Sequence, residues 1–264
     1  MKGVICYYSG AGNTRLACRY IAKNVRDVEF DLFDIVKGGT LDLTQYDIVG
    51  LAAFTDFFAP SQVFQTFVEN LPQQNGKAAF VFNTYGFISG KTLKVMEKWA
   101  DAQGFRVIAG HSLHTPESYP PMIARGRAFV DSPNEKDMAR FDEFMATLGQ
   151  LCAVIESGQP ITSNKVSVSL FNRLMPTAAR TRARKDMGLK YVDETLCTQC
   201  NTCEKGCPYQ AIELAPFPVF DMDKCYGCWR CYNRCPQHAI YTEKFRGGPF
   251  YPKPAEQLKA KLKV

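Results

Sequence analysis

The sequence predicts an α/β fold, a five-stranded doubly wound parallel sheet, followed by a small α+β domain rich in cysteine. Three observations carry this prediction. Short apolar runs alternate with helix-length amphipathic segments over the first 155 residues. Eight of the eleven cysteines lie within residues 197–235. That stretch is a two-fold repeat with a shift of 28 residues, which indicates an internal duplication.

The elements of the sheet can be read in order along the chain. Strands are predicted for GVICYY (3–8), VEFDLFDI (28–35), YDIVGLAAF (46–54), KAAFVFN (77–83) and FRVIAGHSL (105–113). Helices are predicted for TRLACRYIAKNV (14–25), SQVFQTFVENL (61–71), KTLKVMEKWADAQ (91–103) and EKDMARFDEFMATLGQLCAVIESG (135–158). Strands that alternate with helices in this way are typical of a doubly wound sheet.

The remainder of the chain divides into three further segments. Residues 159–190 are predicted to be a basic, partly helical linker, and residues 191–243 the cysteine-rich domain. Residues 244–264 form a basic C-terminal tail. Much of the formal charge of +6 lies in residues 173–190 and in that tail.

Each copy of the cysteine repeat reads C-x2-C-x2-C-x3-C-P, as CTQCNTCEKGCP and CYGCWRCYNRCP. This spacing lets three sulfurs of one loop approach three corners of a cubane, so the fourth sulfur must come from elsewhere. The alternative is structural zinc, for which two or four cysteines at C-x2-C spacing suffice. Zinc does not require the third cysteine or the following proline in both copies, so we favour the cluster.

The repeat resembles bacterial two-cluster ferredoxins over residues 191–243. The resemblance implies two [4Fe-4S] clusters and low-potential one-electron transfer, with the fourth cysteine of each run bound to the other cluster. One predicted ligand set is therefore Cys197, Cys200, Cys203 and Cys235. The other is Cys225, Cys228, Cys231 and Cys207.

The loop SGAGNTR (9–15) joins the first strand to the first helix, where doubly wound folds bind phosphate. It matches neither G-x-G-x-x-G nor a Walker loop. It resembles the flavodoxin phosphate loop S-x-T-G-N-T, which implies that FMN is bound by Ser9, Gly10, Ala11, Gly12, Asn13 and Thr14. The alanine removes one hydroxyl donor from that pattern, and the alternative is a plain glycine-containing turn.

Two aromatic loops follow the third and fourth strands, FTDFFAP (54–60) and NTYGFISG (83–90). The flavodoxin resemblance, which spans residues 1–157, implies that these loops hold the flavin ring. Aromatic faces can stack on the ring while backbone groups bind its polar edge. The predicted ring contacts are Thr55, Phe57, Phe58, Thr84, Tyr85, Gly86 and Phe87. The loop HTPESYP (114–120) is expected to cover the flavin, with Tyr119 as a further candidate.

Several other residues are assigned ordinary roles. The three histidines, His111, His114 and His238, share no ligand spacing. Cys6, Cys18 and Cys152 are predicted to be small core hydrophobes.

Composition excludes some classes of function. No apolar run approaches the roughly 20 residues of a membrane span, and the N-terminus lacks a signal-peptide h-region, so a cytoplasmic location is expected. Nucleic-acid binding is not expected, because two clusters and a flavin phosphate offset the charge of +6. The basic residues near the clusters instead favour an acidic redox partner protein.

These features resemble a fusion of a flavodoxin-like domain with a two-cluster ferredoxin, a type found in anaerobes. The leading hypothesis is an iron–sulfur flavoprotein that transfers electrons between a low-potential donor and an unidentified acceptor. One alternative is a ferredoxin-type carrier whose N-terminal domain docks a partner without binding flavin. Another is an enzyme that reduces a small molecule at the flavin, although no general acid or base is identifiable. The sequence does not indicate the oligomeric state.

Overall fold

The computed structural model describes residues 1–160, 166–176, 180–251 and 254–263. Its first domain is a five-stranded sheet of β1 (Lys2–Tyr7), β2 (Glu29–Asp34), β3 (Ile48–Phe54), β4 (Ala78–Tyr85) and β5 (Arg106–His114). The strand order is β2-β1-β3-β4-β5, and every pairing is parallel. This is the order of flavodoxin-like doubly wound folds, so the predicted fold class is confirmed.

Helices cover both faces of this sheet. They are α1 (Asn13–Asn24), α2 (Gln62–Glu69), α3 (Thr92–Ala102), the short α4 (Pro120–Ile123) and α5 (Glu135–Glu156). β1, β3 and β4 are almost entirely buried, as expected of central parallel strands that are covered on both faces. Phe80 and Phe82 pack against α1 and α5, while Leu51 and Val81 pack against α2 and α3 on the other face.

The three isolated cysteines lie in this core, as predicted. Cys6 and Cys18 are fully buried, and Cys152 is nearly so. None of the described helices has the length and apolar character needed to span a bilayer.

The second part of the chain contains two short antiparallel ribbons. α6 (Leu170–Leu174) and α7 (Arg180–Met187) fall in the predicted linker, of which residues 161–165 and 177–179 lie outside the described residues. The ribbons pair β6 (Lys190–Val192) with β9 (Ile240–Thr242) and β7 (Ile212–Leu214) with β8 (Pro218–Phe220). Between the strands lie α8 (Thr202–Lys205) and α9 (Arg230–Arg234).

The C-terminal segment returns to the first domain. It forms α10 (Glu256–Leu262), whose Leu258 and Leu262 are fully buried in the core that contains α1. Leucines four residues apart lie on one face of a helix, so this short element presents a single apolar stripe to the core.

The sequence duplication is also a duplication of backbone structure. Cys197 N donates to Asp193 O at 3.0 Å, and 28 residues later Cys225 N donates to Asp221 O at 2.9 Å. Left-handed backbone conformations recur at the same shift, in the pairs Gln199 and Gly227, Asn201 and Trp229, and Gln210 and His238. The two loops therefore have closely similar paths.

The repeat packs on the carboxyl edge of the sheet. Buried Arg230 donates from Nε to Gly206 O at 2.8 Å and from Nη1 to Ser9 O. Asn233 Nδ2 donates to Ser118 O at 2.8 Å. These contacts bring the second copy of the repeat against the loops that follow β1 and β5.

Candidate functional site

The eight cysteines of the repeat line two separate cavities. Cys197, Cys200, Cys203 and Cys235 surround the first, which we call the outer site. Cys207, Cys225, Cys228 and Cys231 surround the second, the inner site. This grouping is the crossed arrangement implied by the ferredoxin resemblance, and cluster ligation itself stays a prediction.

Backbone groups are arranged in the same way at both sites. Ala211 N donates to Cys207 Sγ at 3.3 Å, and Ala239 N donates to Cys235 Sγ at 3.3 Å. The fourth cysteine of each run therefore has the same backbone contact. Among the described residues, no group of three or more histidine, cysteine or acidic side chains is arranged to hold a single metal ion.

A buried lysine lies beside the inner site. Lys190 is 8% exposed, and its Nζ lies 3.6 Å from Cys231 Sγ and 4.6 Å from the centre of the Phe220 ring. Burial alone would lower the pKa of Lys190, but the Cys231 and Cys225 sulfurs raise it above its ordinary value. A buried ammonium requires nearby negative charge, so the inner site fits an anionic thiolate-bound cluster.

A larger cavity of about 630 Å³ lies between the first domain and the inner site. We call it the aromatic cavity. Of the predicted ring contacts, it is lined by Thr55, Phe57, Phe58, Gly86 and Phe87, and Tyr119 also lines it. Its volume falls within the range of small-molecule and cofactor sites.

Two predicted ring contacts lie elsewhere. Tyr85 stacks on His114 with ring centroids 5.1 Å apart. Thr84 Oγ1 lies 2.9 Å from Thr14 Oγ1, inside the first domain. Neither Tyr85 nor Thr84 lines the aromatic cavity, so their predicted contact with the flavin stays a prediction without support from this cavity.

A polar network beneath the cavity fixes the loops after β3 and β4. Asn83 Nδ2 donates to Thr55 Oγ1 at 2.8 Å, and Ser112 Oγ donates to Asn83 Oδ1 at 2.6 Å. Phe57 and Phe58 have φ values of 49° and 71°, a conformation that non-glycine residues adopt at a cost. Two adjacent strained aromatic residues at a cavity wall are consistent with a functional site.

Gly90 is required where these two loops meet. Its φ is +58°, and a Cβ atom there would lie 2.6 Å from Phe58 Cα. Lys91 N donates to Phe58 O at 2.9 Å, which ties one loop to the other. The glycine therefore allows the close approach that shapes this wall.

The structure adds cavity residues that sequence reasoning missed. Trp229 of the repeat and Phe245, which follows the repeat, extend the aromatic wall with ring centroids 5.4 Å apart, and the Trp229 ring lies 6.2 Å from that of Tyr119. The cavity also contains basic residues, namely Arg125, Arg127, Arg182 and Lys244. These aromatic and basic residues are distant from one another in the sequence, so no local pattern indicates that they share a site.

Two carboxyl groups of the cavity have raised pKa values. Burial raises the pKa of Asp56 to about 6, against a hydrogen bond from Tyr226, and its Oδ2 has no hydrogen-bond partner in the described structure. Burial also raises the pKa of Glu117, although the backbone N–H groups of Tyr119, Ser118 and Phe87 donate to it.

The predicted phosphate loop is closed by the chain itself. Ser9 Oγ accepts hydrogen bonds from Gly12 N and Arg15 N, both at 3.2 Å. Tyr251 OH donates to Asn13 Oδ1 at 2.5 Å, and Asn13 Nδ2 donates to Pro116 O at 2.9 Å.

The same loop is also covered by apolar packing. Ala11 is buried against Tyr251 and Ala255 of the C-terminal segment. Ser9, Asn13 and Thr14 are buried as well. Phosphate binding by this loop stays a prediction, and none of residues 9–14 lines the aromatic cavity.

Comparisons with known proteins identify the cysteine-rich region. A family model, the LdpA Fe-S cluster-binding domain, matches residues 189–246. An uncharacterised polyferredoxin-like protein of Methanocaldococcus jannaschii is 31% identical over 68 residues, which are 20% of this chain and 40% of that protein. The delta subunit of the NADH-dependent phenylglyoxylate dehydrogenase of Aromatoleum evansii is 40% identical over 47 residues, 17% of this chain. The chain spans 40% and 50% of the lengths of these two relatives.

Solved structures resemble the first domain. A flavodoxin from the domain Archaea is 16% identical with a TM-score of 0.43, and covers 58% of this chain and 99% of its own. Flavodoxin 1 of Bacillus cereus is 20% identical with a TM-score of 0.41, covering 55% and 95%. Rubredoxin oxygen:oxidoreductase of Desulfovibrio gigas is 19% identical with a TM-score of 0.42, covering 59% and 37%.

The strand order and the family match together define the class of this protein. Its first domain has a flavodoxin-like fold, as the sheet order establishes. Its second contains an iron–sulfur cluster-binding domain. The chain is a fusion of the two, as the sequence predicted.

Proposed function

We propose that this protein is an iron–sulfur flavoprotein that transfers electrons between a low-potential donor and an acceptor through two [4Fe-4S] clusters and FMN. The observation that carries the proposal is the shared wall of two cavities. Cys228 and Trp229 line both the inner site and the aromatic cavity. A redox-active ring in the aromatic cavity would therefore lie next to a cysteine of the inner site, and short distances favour rapid electron transfer.

The chain's own residues supply binding and orientation. The inner cysteines would hold a cluster beside Lys190, and the positive charge of this lysine would favour the reduced, more negative form of the cluster. Phe57, Phe87 and Tyr119 offer aromatic faces to a planar ligand. When bound, FMN accepts one or two electrons, so it links the one-electron clusters to two-electron chemistry.

The two sites differ in their access to solvent, which suggests a direction for partner docking. Cys200 of the outer site is exposed, whereas Cys225 and Cys231 of the inner site are buried. A redox partner protein therefore exchanges electrons with the outer cluster first. The relative from Aromatoleum evansii is a subunit of a dehydrogenase, which supports a role beside other redox proteins. The basic residues near the clusters favour an acidic partner.

A second candidate function is a ferredoxin-type carrier whose first domain docks a partner without flavin. The covered loop at residues 9–14 favours this carrier function, because the Tyr251 hydroxyl already donates a hydrogen bond to Asn13 Oδ1. In that case the aromatic cavity belongs to the docking surface.

An anaerobic FMN titration of the cluster-reconstituted protein tests these functions. Flavin fluorescence is followed together with cluster absorbance. For the flavoprotein we expect quenching that saturates near one FMN per chain, and electrons supplied to the clusters should then bleach the flavin absorbance. Intact clusters without quenching would contradict the flavoprotein and favour the carrier.

A further inference from the structure

The aromatic cavity has a cationic side that is separate from the loop at residues 9–14, because none of those residues lines the cavity. Arg125, Arg127 and Arg182 line it on the side formed by α4 and α7. Arg127 lies over the Phe87 ring, with its Cζ 4.8 Å from the ring centre. An anion held there would thus be close to one of the predicted flavin contacts.

The charges of these arginines are only partly compensated within the cavity. Arg182 Nε lies 3.9 Å from Asp186 Oδ2, a weak and solvent-exposed pairing, and Asp186 also accepts a hydrogen bond from Tyr119. The Glu117 carboxylate accepts hydrogen bonds from three backbone N–H groups. No ion-pair partner for Arg125 or Arg127 occurs among the described side chains. Lys244 instead donates to the Lys185 carbonyl oxygen at 2.6 Å.

The loop at residues 9–14, in contrast, is partly covered by the chain's own groups. Gly12 N of the loop and Arg15 N beyond it donate to Ser9 Oγ, and both polar atoms of the Asn13 side-chain amide are hydrogen-bonded. Tyr251 and Ala255, both buried, pack against Ala11 of this loop.

We propose that the phosphate ester of the flavin in the aromatic cavity is bound by Arg125 and Arg127, assisted by Arg182, and not by the loop at residues 9–14. This inference rests on the proposed function. Guanidinium groups bind phosphate oxygens in bidentate, charge-assisted pairs, and they need no preformed backbone nest. The fold thus retains the flavodoxin-like sheet while the anion site lies at the interface with the iron–sulfur domain.

The test compares FMN with riboflavin, which lacks the phosphate. The ratio of their dissociation constants measures the contribution of the phosphate, whatever the ring contributes. In the cluster-reconstituted full-length protein, FMN should bind about tenfold or more tightly than riboflavin. The variants Arg125→Gln and Arg127→Gln, made singly and together, should weaken FMN binding towards that of riboflavin and leave riboflavin binding unchanged.

Two controls separate this site from the loop. Arg106→Gln removes an exposed arginine at the amino end of β5, and it should leave the ratio unchanged. Ser9→Ala removes the hydroxyl at the centre of the loop, and it should also leave the ratio unchanged. Because Arg125 and Arg127 are exposed, we expect their variants to fold, with cluster absorbance as the check.

The outcomes distinguish this inference from the proposed function. A ratio that falls in Ser9→Ala and stays constant in the arginine variants would overturn the arginine site while flavin binding stands. Equal affinities for FMN and riboflavin in the unmodified protein would overturn it as well. Binding of neither flavin would contradict the flavoprotein function itself.

Discussion

The inner and outer sites have the same cysteine spacing but opposite surroundings. The outer cavity is lined between its cysteines by uncharged polar residues, Thr198, Gln199, Asn201 and Thr202. At the positions 28 residues later, the inner copy has Tyr226, Gly227, Trp229 and Arg230. Trp229 and Arg230 are buried against the rest of the protein.

The chemistry of equivalent cysteines differs accordingly. Cys200 lies beside the Thr202 hydroxyl, 3.3 Å away, and this contact lowers its pKa. Burial raises the pKa of its counterpart, Cys228, to about 12. The two sites share their cysteine spacing and differ in the side chains between the cysteines. Those side chains set the polarity and solvent access of each site, and they decide which site faces the first domain.

The largest expected effect comes from removing equivalent cysteines. Cys228→Ala and Cys200→Ala should each lower the iron content from about eight to about four atoms per chain. Cys228→Ala should in addition lower the free energy of unfolding by about 3 kcal/mol or more and weaken FMN quenching, because the inner site joins the domains. Iron analysis, thermal unfolding and FMN titration measure these effects. Identical losses of stability in both variants would contradict the inference that the inner site, and not the outer site, joins the two domains.

Asp56 provides a pH-dependent test of the inner contact, since Tyr226 donates to it. Its folded pKa of about 6 exceeds the ordinary value of 3.8, so folding favours the protonated acid. The associated stability is present below pH of about 4 and is lost as the pH rises through about 6. Asp56→Asn should therefore raise the free energy of unfolding at pH 8, by up to about 3 kcal/mol, and by less at pH 5.5.

Denaturant unfolding at the two pH values measures this difference. Asp131→Asn, which changes an exposed acid, serves as the control and should show no pH-dependent gain. An equal effect of Asp56→Asn at both pH values would argue against a carboxyl that titrates at this contact.

Lys190 should separate the potentials of the two clusters. Lys190→Met removes a buried positive charge beside the inner site, so it should lower the reduction potential of the inner cluster by on the order of 100 mV. The outer cluster should change much less. Redox titration followed by electron paramagnetic resonance measures both, and Lys205→Met, at an exposed lysine, is the control. Equal changes in the reduction potentials of both clusters would contradict the placement of the Lys190 charge beside the inner site.

The smallest expected effect comes from Gly90, which shapes the wall facing the inner site. Gly90→Ala should cost about 1–2 kcal/mol and should weaken FMN binding, because its Cβ meets the Phe58 backbone. Gly38→Ala has a similar φ of +67° but no atom within 4 Å of the added Cβ, so it isolates the backbone cost. Unfolding midpoints and FMN affinity are compared for the pair. Equal effects of both substitutions would show that the close approach to Phe58 is unimportant.

Much of the candidate site could be predicted because its signals are local. Periodic apolar runs identified the strands of the sheet, and the loops after β3 and β4 followed from the position of parallel strand ends. Phe57, Phe58 and Phe87 do line a cavity there. The two groups of cysteines were implied by the resemblance to two-cluster ferredoxins, and their ligation of clusters stays a prediction.

The sequence by itself thus determined the sheet, its strand limits to within about two residues and the residues suited to hold clusters. Only the tertiary structure decided which copy of the repeat faces the sheet, that Arg125 and Arg127 line a cavity with Trp229, and that Tyr251 closes the loop at Asn13. Asn13 and Tyr251 are 238 residues apart, and neither carries a local pattern that names its partner. Contacts of this kind depend on how one domain docks on another, which short-range periodicity does not encode.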